Sequence, residues 1–187
     1  MPVAASAPPR PRTLVHPGPP APLRLEHLAA RGQRQWRLQL APGQVLLDAL
    51  TRAMAAHGVR SAAFALWGGE LQTLAYCLPI PDPTGQVIAT YGEPLVLGPA
   101  TLLRASATLG QGAEGQPMLH CHASFADAQG RLCGGHVLPD RTVVGARPVQ
   151  VLATALDGIA LRLGFDPETR LHMLRPQLAQ AEEPSHA

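Results

Sequence analysis

Three histidines are the residues of this sequence whose types and spacing point most directly to chemistry. His120 and His122 are separated by one residue, and His136 follows Gly134-Gly135 fourteen residues after His122. Both segments are apolar-rich and compatible with β-structure, so they could form the two strands of one hairpin. In such a hairpin the three imidazoles would lie on one face of a sheet, where they could share a metal ion.

The segment Asp127-Ala128-Gln129-Gly130 predicts the turn of this hairpin and therefore its register. Asp is favoured at the first position of a type I turn and Gly at the last. A three-residue loop of this kind, closed by a glycine bulge, places His122 opposite His136. Because strand side chains alternate between faces, His120 shares the face of His122. A one-residue slip in the turn would move His136 to the other face.

The same alternation places Cys121 and Cys133 on the opposite face, so we do not count these thiols as ligands. The predicted ligands His120, His122 and His136 would be three neutral imidazoles with one open coordination position. That arrangement is typical of a catalytic or ligand-binding zinc ion. Imidazole also suits copper, nickel and iron, so the identity of the metal stays open. The alternative is a cluster of hydrogen-bonded histidines in a pocket or at a subunit interface.

The length and composition of the chain favour a single domain with tails. A chain of 187 residues can bury a substantial core, and its three cysteines show no paired pattern, which fits a reducing compartment. No apolar run approaches the roughly 18 residues of a membrane span. The N-terminus lacks the basic and apolar segments of a signal peptide. We therefore expect a cytoplasmic protein that does not associate with membranes.

Positive charge is concentrated at the N-terminus. Residues 1–37 carry six arginines and one glutamate, a net charge of about +5, whereas the rest of the chain has nine arginines and twelve acidic residues. The proline-rich composition predicts that 1–33 is a disordered tail. Such a tail could contact DNA or another polyanion, or it could serve only to keep the protein soluble.

The hydrophobic pattern predicts one helix followed by many short strands. A half-buried strand is indicated over 36–40, and helical spacing of apolar residues predicts a helix from Pro42-Gly43 through His57. Strands are then predicted at 61–67, 71–78, 86–91, 95–97, 102–109, 118–125, 131–138 and 170–174, with a long apolar run over 149–161. This order is typical of an α+β fold, a mostly antiparallel sheet with one main helix. We assign 34–176 to this single domain and 177–187 to a second disordered tail.

The order of these features resembles the PPC (plant and prokaryote conserved) domain over about residues 34–176. The most specific match is Pro117-Met118-Leu119-His120-Cys121-His122-Ala123-Ser124, followed by Gly134-Gly135-His136-Val137. Leu38–Gly43, Gly58–Ala62 and Val149-Gln150-Val151 also match. The resemblance implies an α+β domain that assembles as a homotrimer.

The resemblance also bears on DNA binding. In plants the PPC domain usually accompanies an AT-hook in nuclear DNA-binding proteins, and bacterial members carry a DNA-binding label by analogy. An AT-hook needs an Arg-Gly-Arg core, whereas this tail has Arg10-Pro11-Arg12. The resemblance therefore implies a binding or regulatory module whose association with DNA rests on family analogy.

The implied fold is also similar to that of α-acetolactate decarboxylase and of a human three-histidine zinc ester hydrolase. Both hold zinc with a His-x-His pair and a third His on a neighbouring strand, and His120, His122 and His136 match that layout. Zinc there polarises a carbonyl or activates water. The other catalytic residues have no match, although Arg104 or Glu93 could line such a pocket.

Three functions stay open at this point. The first is a trimeric module that binds a metal or a small ligand at the three histidines. The second is a zinc enzyme acting on a small carbonyl or ester substrate. The third is a nucleic-acid-associated protein that uses its arginine-containing tail.

Overall fold

The computed structural model describes residues 15–22, 27–29 and 34–179, and within them it contains one α-helix and thirteen strands. Most of the N-terminal tail and residues 180–187 lie outside the described residues, so the two predictions of disorder stay predictions. The elements are β1 (Gln35–Leu40), α1 (Leu46–Ala55), β2 (Ala62–Trp67), β3 (Glu70–Cys77), β4 (Pro79–Pro81), β5 (Ala89–Tyr91), β6 (Leu95–Leu97), β7 (Ala100–Gln111), β8 (Pro117–Ala126), β9 (Leu132–Val137), β10 (Val143–Val144), β11 (Val149–Ala155), β12 (Ile159–Asp166) and β13 (Leu171–Leu178).

Eleven of these strands form one sheet, in which the strand order along the main path is β1-β11-β2-β7-β8-β9-β3-β10. All pairings are antiparallel except a single-residue contact between β12 and β7. The first residues of β3 also pair with the start of β7, through Glu70 with Thr101 and Leu71 with Ala100. Strands β7, β8, β9 and β3 therefore close on themselves. The predicted α+β class, with one helix and a mostly antiparallel sheet, is confirmed.

Helix α1 covers one face of the sheet because its apolar residues recur at a spacing of four. Leu46, Leu50 and Met54 are buried and share one core cluster with residues of the sheet. Burying side chains of this size stabilises a fold by about 1.5–3 kcal/mol each. The helix ends at Ala55, two residues before its predicted end, and the chain turns away at Gly58, whose φ is +67°. The opposite face of β7, β8 and β9 is left without a helix.

Three segments differ from their predictions in extent. The apolar run 149–161 is interrupted by a turn at Gly158 (φ +82°), so it forms β11 and the start of β12. The segment Pro79–Pro81, predicted as loop, pairs with β5 as strand β4. Strand β13 continues past Pro176 to Leu178. Because β13 pairs only with β12, its free edge can accommodate a proline that lacks the N–H.

Candidate metal centre

The turn between β8 and β9 has the predicted geometry. The Asp127 amide donates to the carbonyl of Arg131 at 3.0 Å, and the Gly130 amide donates to the carbonyl of Asp127 at 2.9 Å. Gly130 adopts a φ of +77°, which a glycine accepts at little cost. The buried Asp127 carboxylate accepts hydrogen bonds from the amides of Gln129 and Arg131 and from Arg131 Nε. These bonds, the one from the Arg131 amide foremost, hold the pKa of Asp127 below its ordinary value.

This turn sets the register that brings the histidines together. His122 lies directly opposite His136, and the strict alternation of β8 buries Leu119 and Phe125 while it exposes His120 and His122. The predicted register is thus confirmed. The ring centroids of the three histidines are 4.8–5.3 Å apart. One nitrogen from each ring lies within 4.8 Å of the nitrogens of the other two.

One pair of ring nitrogens is spaced as two metal ligands would be. His136 Nδ1 and His122 Nε2 are 3.4 Å apart. Two nitrogens that are each about 2.0–2.1 Å from a tetrahedral ion lie about 3.3 Å apart, close to the observed distance. A direct N–H···N hydrogen bond would be expected nearer 3.0 Å. The spacing of this pair therefore fits two imidazole ligands of one metal ion, with the third imidazole beside them.

The protonation of the cluster also suits metal ligation. Burial, with a contribution from His122, lowers the pKa of His120. Burial and then the neighbouring His120 and His122 lower the pKa of His136 to about 4. A neutral imidazole is the form that binds metals. At neutral pH, His120 and His136 are therefore in the form that can donate a lone pair.

The two cysteines near the histidines are not part of this cluster. Cys121 is fully buried in the core, where burial raises the pKa of its thiol to about 12, and Cys133 packs against the core. The sequence analysis did not consider the third thiol, Cys77. It pairs with His136 across β3 and β9, so the two side chains lie on the same face of the sheet. Its sulfur is not within the group of closely spaced ligand atoms.

Tyr91 contacts the cluster from the β4–β5 hairpin. Its hydroxyl lies 3.4 Å from His136 Nδ1, and the two rings lie 4.5 Å apart between centroids. Burial against this neighbour and the proximity of Cys77 raise the pKa of Tyr91. The sequence analysis missed both Tyr91 and Cys77, because no sequence pattern around either residue predicts that it lies near His136.

An open cavity of about 440 Å³ adjoins the cluster on the β7 side. It is lined by Arg104, Ser106, His122, Ser124 and Gly134, together with neighbouring backbone. Arg104, considered at the sequence level without a position, therefore lies beside the histidines. Glu93, considered with it, does not line this cavity.

A β-bulge in β7 turns Arg104 toward the cavity. Leu102 pairs with Phe125 and faces the core, Arg104 pairs with Ser124, and Leu103 is the extra residue between them. Residues two apart on a regular strand share a face, but the bulge places Leu102 and Arg104 on opposite faces. The apolar positions of β7 accordingly change from even numbers to odd numbers at this point.

Gly134-Gly135 permits the close approach of strands beside His136. A Cβ atom at Gly135 would lie 2.8 Å from the carbonyl oxygen of Cys77 and 2.8 Å from the Tyr76 ring. At Gly134 it would lie 2.9 Å from the carbonyl oxygen of Ala123. Only glycine allows both contacts without a shift of the backbone.

Comparison with known proteins gives one family match and several similar folds. The Plants and Prokaryotes Conserved (PCC) domain, also written PPC, matches residues 27–157. Among curated proteins, none matches this sequence. The ten-residue helix α1 is too short to span a membrane, and the described residues contain no other α-helix.

Three solved structures illustrate the similarity of the fold. A metal-containing protein from Archaeoglobus fulgidus has a TM-score of 0.66 at 18% identity, with 81% of this chain and 99% of that chain covered. A PPC protein from Pyrococcus horikoshii has a TM-score of 0.60 at 17% identity, with 82% and 100% covered. A protein from Ralstonia eutropha JMP134, named a "putative DNA-binding protein", has a TM-score of 0.60 at 19% identity, with 76% and 90% covered.

Proposed function

This chain belongs to the Plants and Prokaryotes Conserved domain family, and from that premise we propose that it is a metal-dependent binding module. One divalent ion, with zinc as the first candidate, is held by His120, His122 and His136. The ion offers its open coordination position to a small ligand. The observation that carries this proposal is the 3.4 Å spacing of His136 Nδ1 and His122 Nε2, which fits two ligands of one tetrahedral ion.

Two further observations support the metal over the alternative of a hydrogen-bonded histidine cluster. The 3.4 Å between His122 Nε2 and His136 Nδ1 is longer than the roughly 3.0 Å expected of a direct N–H···N hydrogen bond. A structural neighbour from Archaeoglobus fulgidus is described as metal-containing. Catalytic and ligand-binding zinc sites use three protein ligands in this way, whereas structural sites use four.

The ion would supply Lewis acidity to a bound carbonyl or water. This chain's own residues hold the three imidazoles on two rigid strands, and the hydroxyl of Tyr91 lies 3.4 Å from His136 Nδ1. A zinc enzyme acting on a small carbonyl or ester is the second candidate, favoured by the open cavity next to the histidines. Turnover of such a substrate by the metal-loaded protein, abolished in a metal-free sample, would distinguish the enzyme from the binding module.

Self-association into a homotrimer is part of the proposal. Large apolar side chains are exposed on the side of the cluster away from Arg104, at Leu78, Ile80, Tyr91, Leu95 and Val96, each 42–55% exposed. Leu95 and Val96 lie on β6, which pairs only with β3, and Ile80 and Tyr91 lie on the two-stranded β4–β5 sheet. A group of exposed apolar side chains is typical of a surface that another chain covers. The trimer would bury this apolar patch and leave the cavity side of the histidines open.

Two observations support an association with DNA, and both are weaker than those for the metal site. Structural neighbours from Ralstonia eutropha and Bacteroides thetaiotaomicron are each named a "putative" DNA-binding protein. The first 37 residues carry a net charge of about +5, which would attract a polyanion. The described domain offers no dense basic ribbon, so we place any DNA contact in the N-terminal tail.

Elemental analysis of the purified protein tests the proposed function. One equivalent of zinc, copper, nickel or iron per chain is expected, and anomalous scattering from a crystal should place the ion between the three rings. A protein that contains no metal and takes up none of these four ions on reconstitution would contradict the proposal.

A further inference from the structure

The side chains next to the three histidines are arranged in two parallel rows across the sheet. Ser106, His122 and His136 pair in succession across β7, β8 and β9 and form the first row. Arg104, Ser124 and Gly134 form the second row. Adjacent rows on one face are two residues apart along each strand, about 7 Å. An arginine side chain extended from the second row can therefore reach a molecule bound over the first.

Arg104 has no partner of its own in the part of the chain that the structure describes. Its guanidinium forms no hydrogen bond and no ion pair there, and no carboxylate lines the cavity. The bulge at Leu103 turns it toward Ser124 and the histidines, and the absence of a side chain at Gly134 leaves the second row open. Bulges that redirect a side chain in this way are common beside functional sites.

We propose that Arg104 is the anion-binding residue of this site and that the ligand is a small organic carboxylate. The inference rests on the metal site proposed above. One oxygen of the ligand occupies the open coordination position. The guanidinium of Arg104 donates hydrogen bonds to the carboxylate, and the hydroxyls of Ser106 and Ser124 line the cavity between the two positions.

The surroundings favour a carboxylate over a phosphate. The cavity has a single arginine, which matches one negative charge, and phosphate sites usually add the N-terminus of a helix or further basic side chains. Neither lines this cavity, since α1 packs on the other face of the sheet. The cavity, at about 440 Å³, lies in the lower part of the range of small-molecule sites.

The full-length protein loaded with Co²⁺ allows a direct test, because the visible spectrum of Co²⁺ changes when a ligand enters its coordination shell. Acetate is expected to change the spectrum, and the neutral isostere acetamide is not. Replacing Arg104 by glutamine should weaken acetate binding at least about tenfold while one Co²⁺ per chain is retained. Arg104→Lys keeps the positive charge but lacks the planar guanidinium that binds both carboxylate oxygens. Its affinity for acetate should therefore lie between those of the wild type and Arg104→Gln.

Arg37→Gln is the matched control. Arg37 is exposed on the same face and in the first row, but two strands, β11 and β2, lie between it and Ser106, a distance of three strand spacings or about 14 Å. The Arg37→Gln variant should bind acetate with the affinity of the wild type.

The possible failures can be told apart. A wild-type protein that takes up no Co²⁺ would refute the metal site, and the inference with it. One Co²⁺ per chain with equal acetate affinity in wild type and Arg104→Gln would refute the role of Arg104 alone. Tighter binding of inorganic phosphate than of acetate would overturn the assignment to carboxylates.

Discussion

His122 on β8 and His136 on β9 are paired residues of one hairpin, and their facing ring nitrogens are 3.4 Å apart. Fourteen positions separate them in the sequence, yet a single three-residue loop fixes their distance. The site is therefore built mainly from local structure. Its geometry depends on the turn at Asp127–Gly130 and on the glycines that let β9 approach its neighbours.

Replacing His122 by alanine should remove the metal without unfolding the domain. The side chain is exposed and contributes nothing to the core, whereas the remaining two imidazoles form an incomplete ligand set. We expect less than about a tenth of an equivalent of metal per chain by elemental analysis, with an unchanged thermal unfolding curve for the metal-free proteins. His172→Ala, an exposed histidine on β13, should keep its metal, and retention of a full equivalent in His122→Ala would exclude His122 as a ligand.

Replacing Gly135 by alanine should destabilise the fold by about 1–3 kcal/mol, because the new methyl group would overlap the Cys77 carbonyl and the Tyr76 ring. Gly164→Ala on β12 is the matched control, since a Cβ atom there meets only Arg175, at an ordinary 3.5 Å. That variant should be neutral or up to about 1 kcal/mol more stable. Urea unfolding of the two variants measures the difference, and equal free energies of unfolding would show that the strands can separate at Gly135.

Asp127 should make the stability of the hairpin depend on pH. Its hydrogen bonds hold its pKa in the folded state below the ordinary 3.8, so the unfolded chain binds more protons as the solution is acidified. The stabilising contribution is thus fully present above about pH 4 and is lost as the pH falls through the folded-state value. In Asp127→Asn this contribution is absent, so the difference in urea midpoint between wild type and variant should shrink from pH 7 to pH 3.

The control for this measurement is Asp140→Asn, at an exposed position outside the turn. The pH dependence assigned to Asp127 is the part of the Asp127→Asn difference that Asp140→Asn does not show. If the difference in urea midpoint between wild type and Asp127→Asn grew on acidification, folding would raise the pKa of Asp127 and not lower it.

A charge in the exposed apolar patch should dissociate the proposed trimer. Val96 is 55% exposed on β6, and an aspartate there would lose its hydration in an apolar interface. Light scattering after gel filtration should give the mass of three chains for the wild type and of one chain for Val96→Asp. Leu178→Asp, at a 69% exposed position on β13, should leave the mass unchanged. Identical masses for wild type and Val96→Asp would rule out this patch as the interface.

Deleting residues 1–33 tests the contribution of the tail to DNA binding. The deletion removes four arginines and one glutamate, so any affinity for duplex DNA should fall and its dependence on salt concentration should weaken. Filter binding or anisotropy at two salt concentrations measures both. If the affinity and its salt dependence were unchanged, the tail would not be the DNA contact. The contact would then lie in the domain or not exist.

The parts of the site that the sequence predicts are those with local causes. The turn chemistry of Asp127 and Gly130 and the alternation of β8 determine the register, and from these the three histidines follow. Tyr91 and Cys77 reach the cluster only because β3 pairs with β9 and β4 pairs with β5, which no short-range pattern encodes. Such long-range pairings depend on the packing of the whole sheet.

Arg104 is an intermediate case. Regular alternation along β7 would give residues 102 and 104 the same face, and only the bulge separates them. The sequence contains a sign of the bulge, because the alternation of apolar residues shifts from even to odd positions. Leu102 is followed by apolar core residues at Ala105, Ala107 and Leu109. A change of phase within one strand is the pattern that a bulge leaves.

The bulge at Leu103 also lies where β7 changes partners along one edge: residues 104–109 pair with β2, and residues 100 and 101 pair with β3. The same irregularity that turns Arg104 outward therefore allows the ring of strands to close. A β7 without the bulge would turn residue 104 to the face of Leu102, toward the core, and would leave the proposed ligand without its cation.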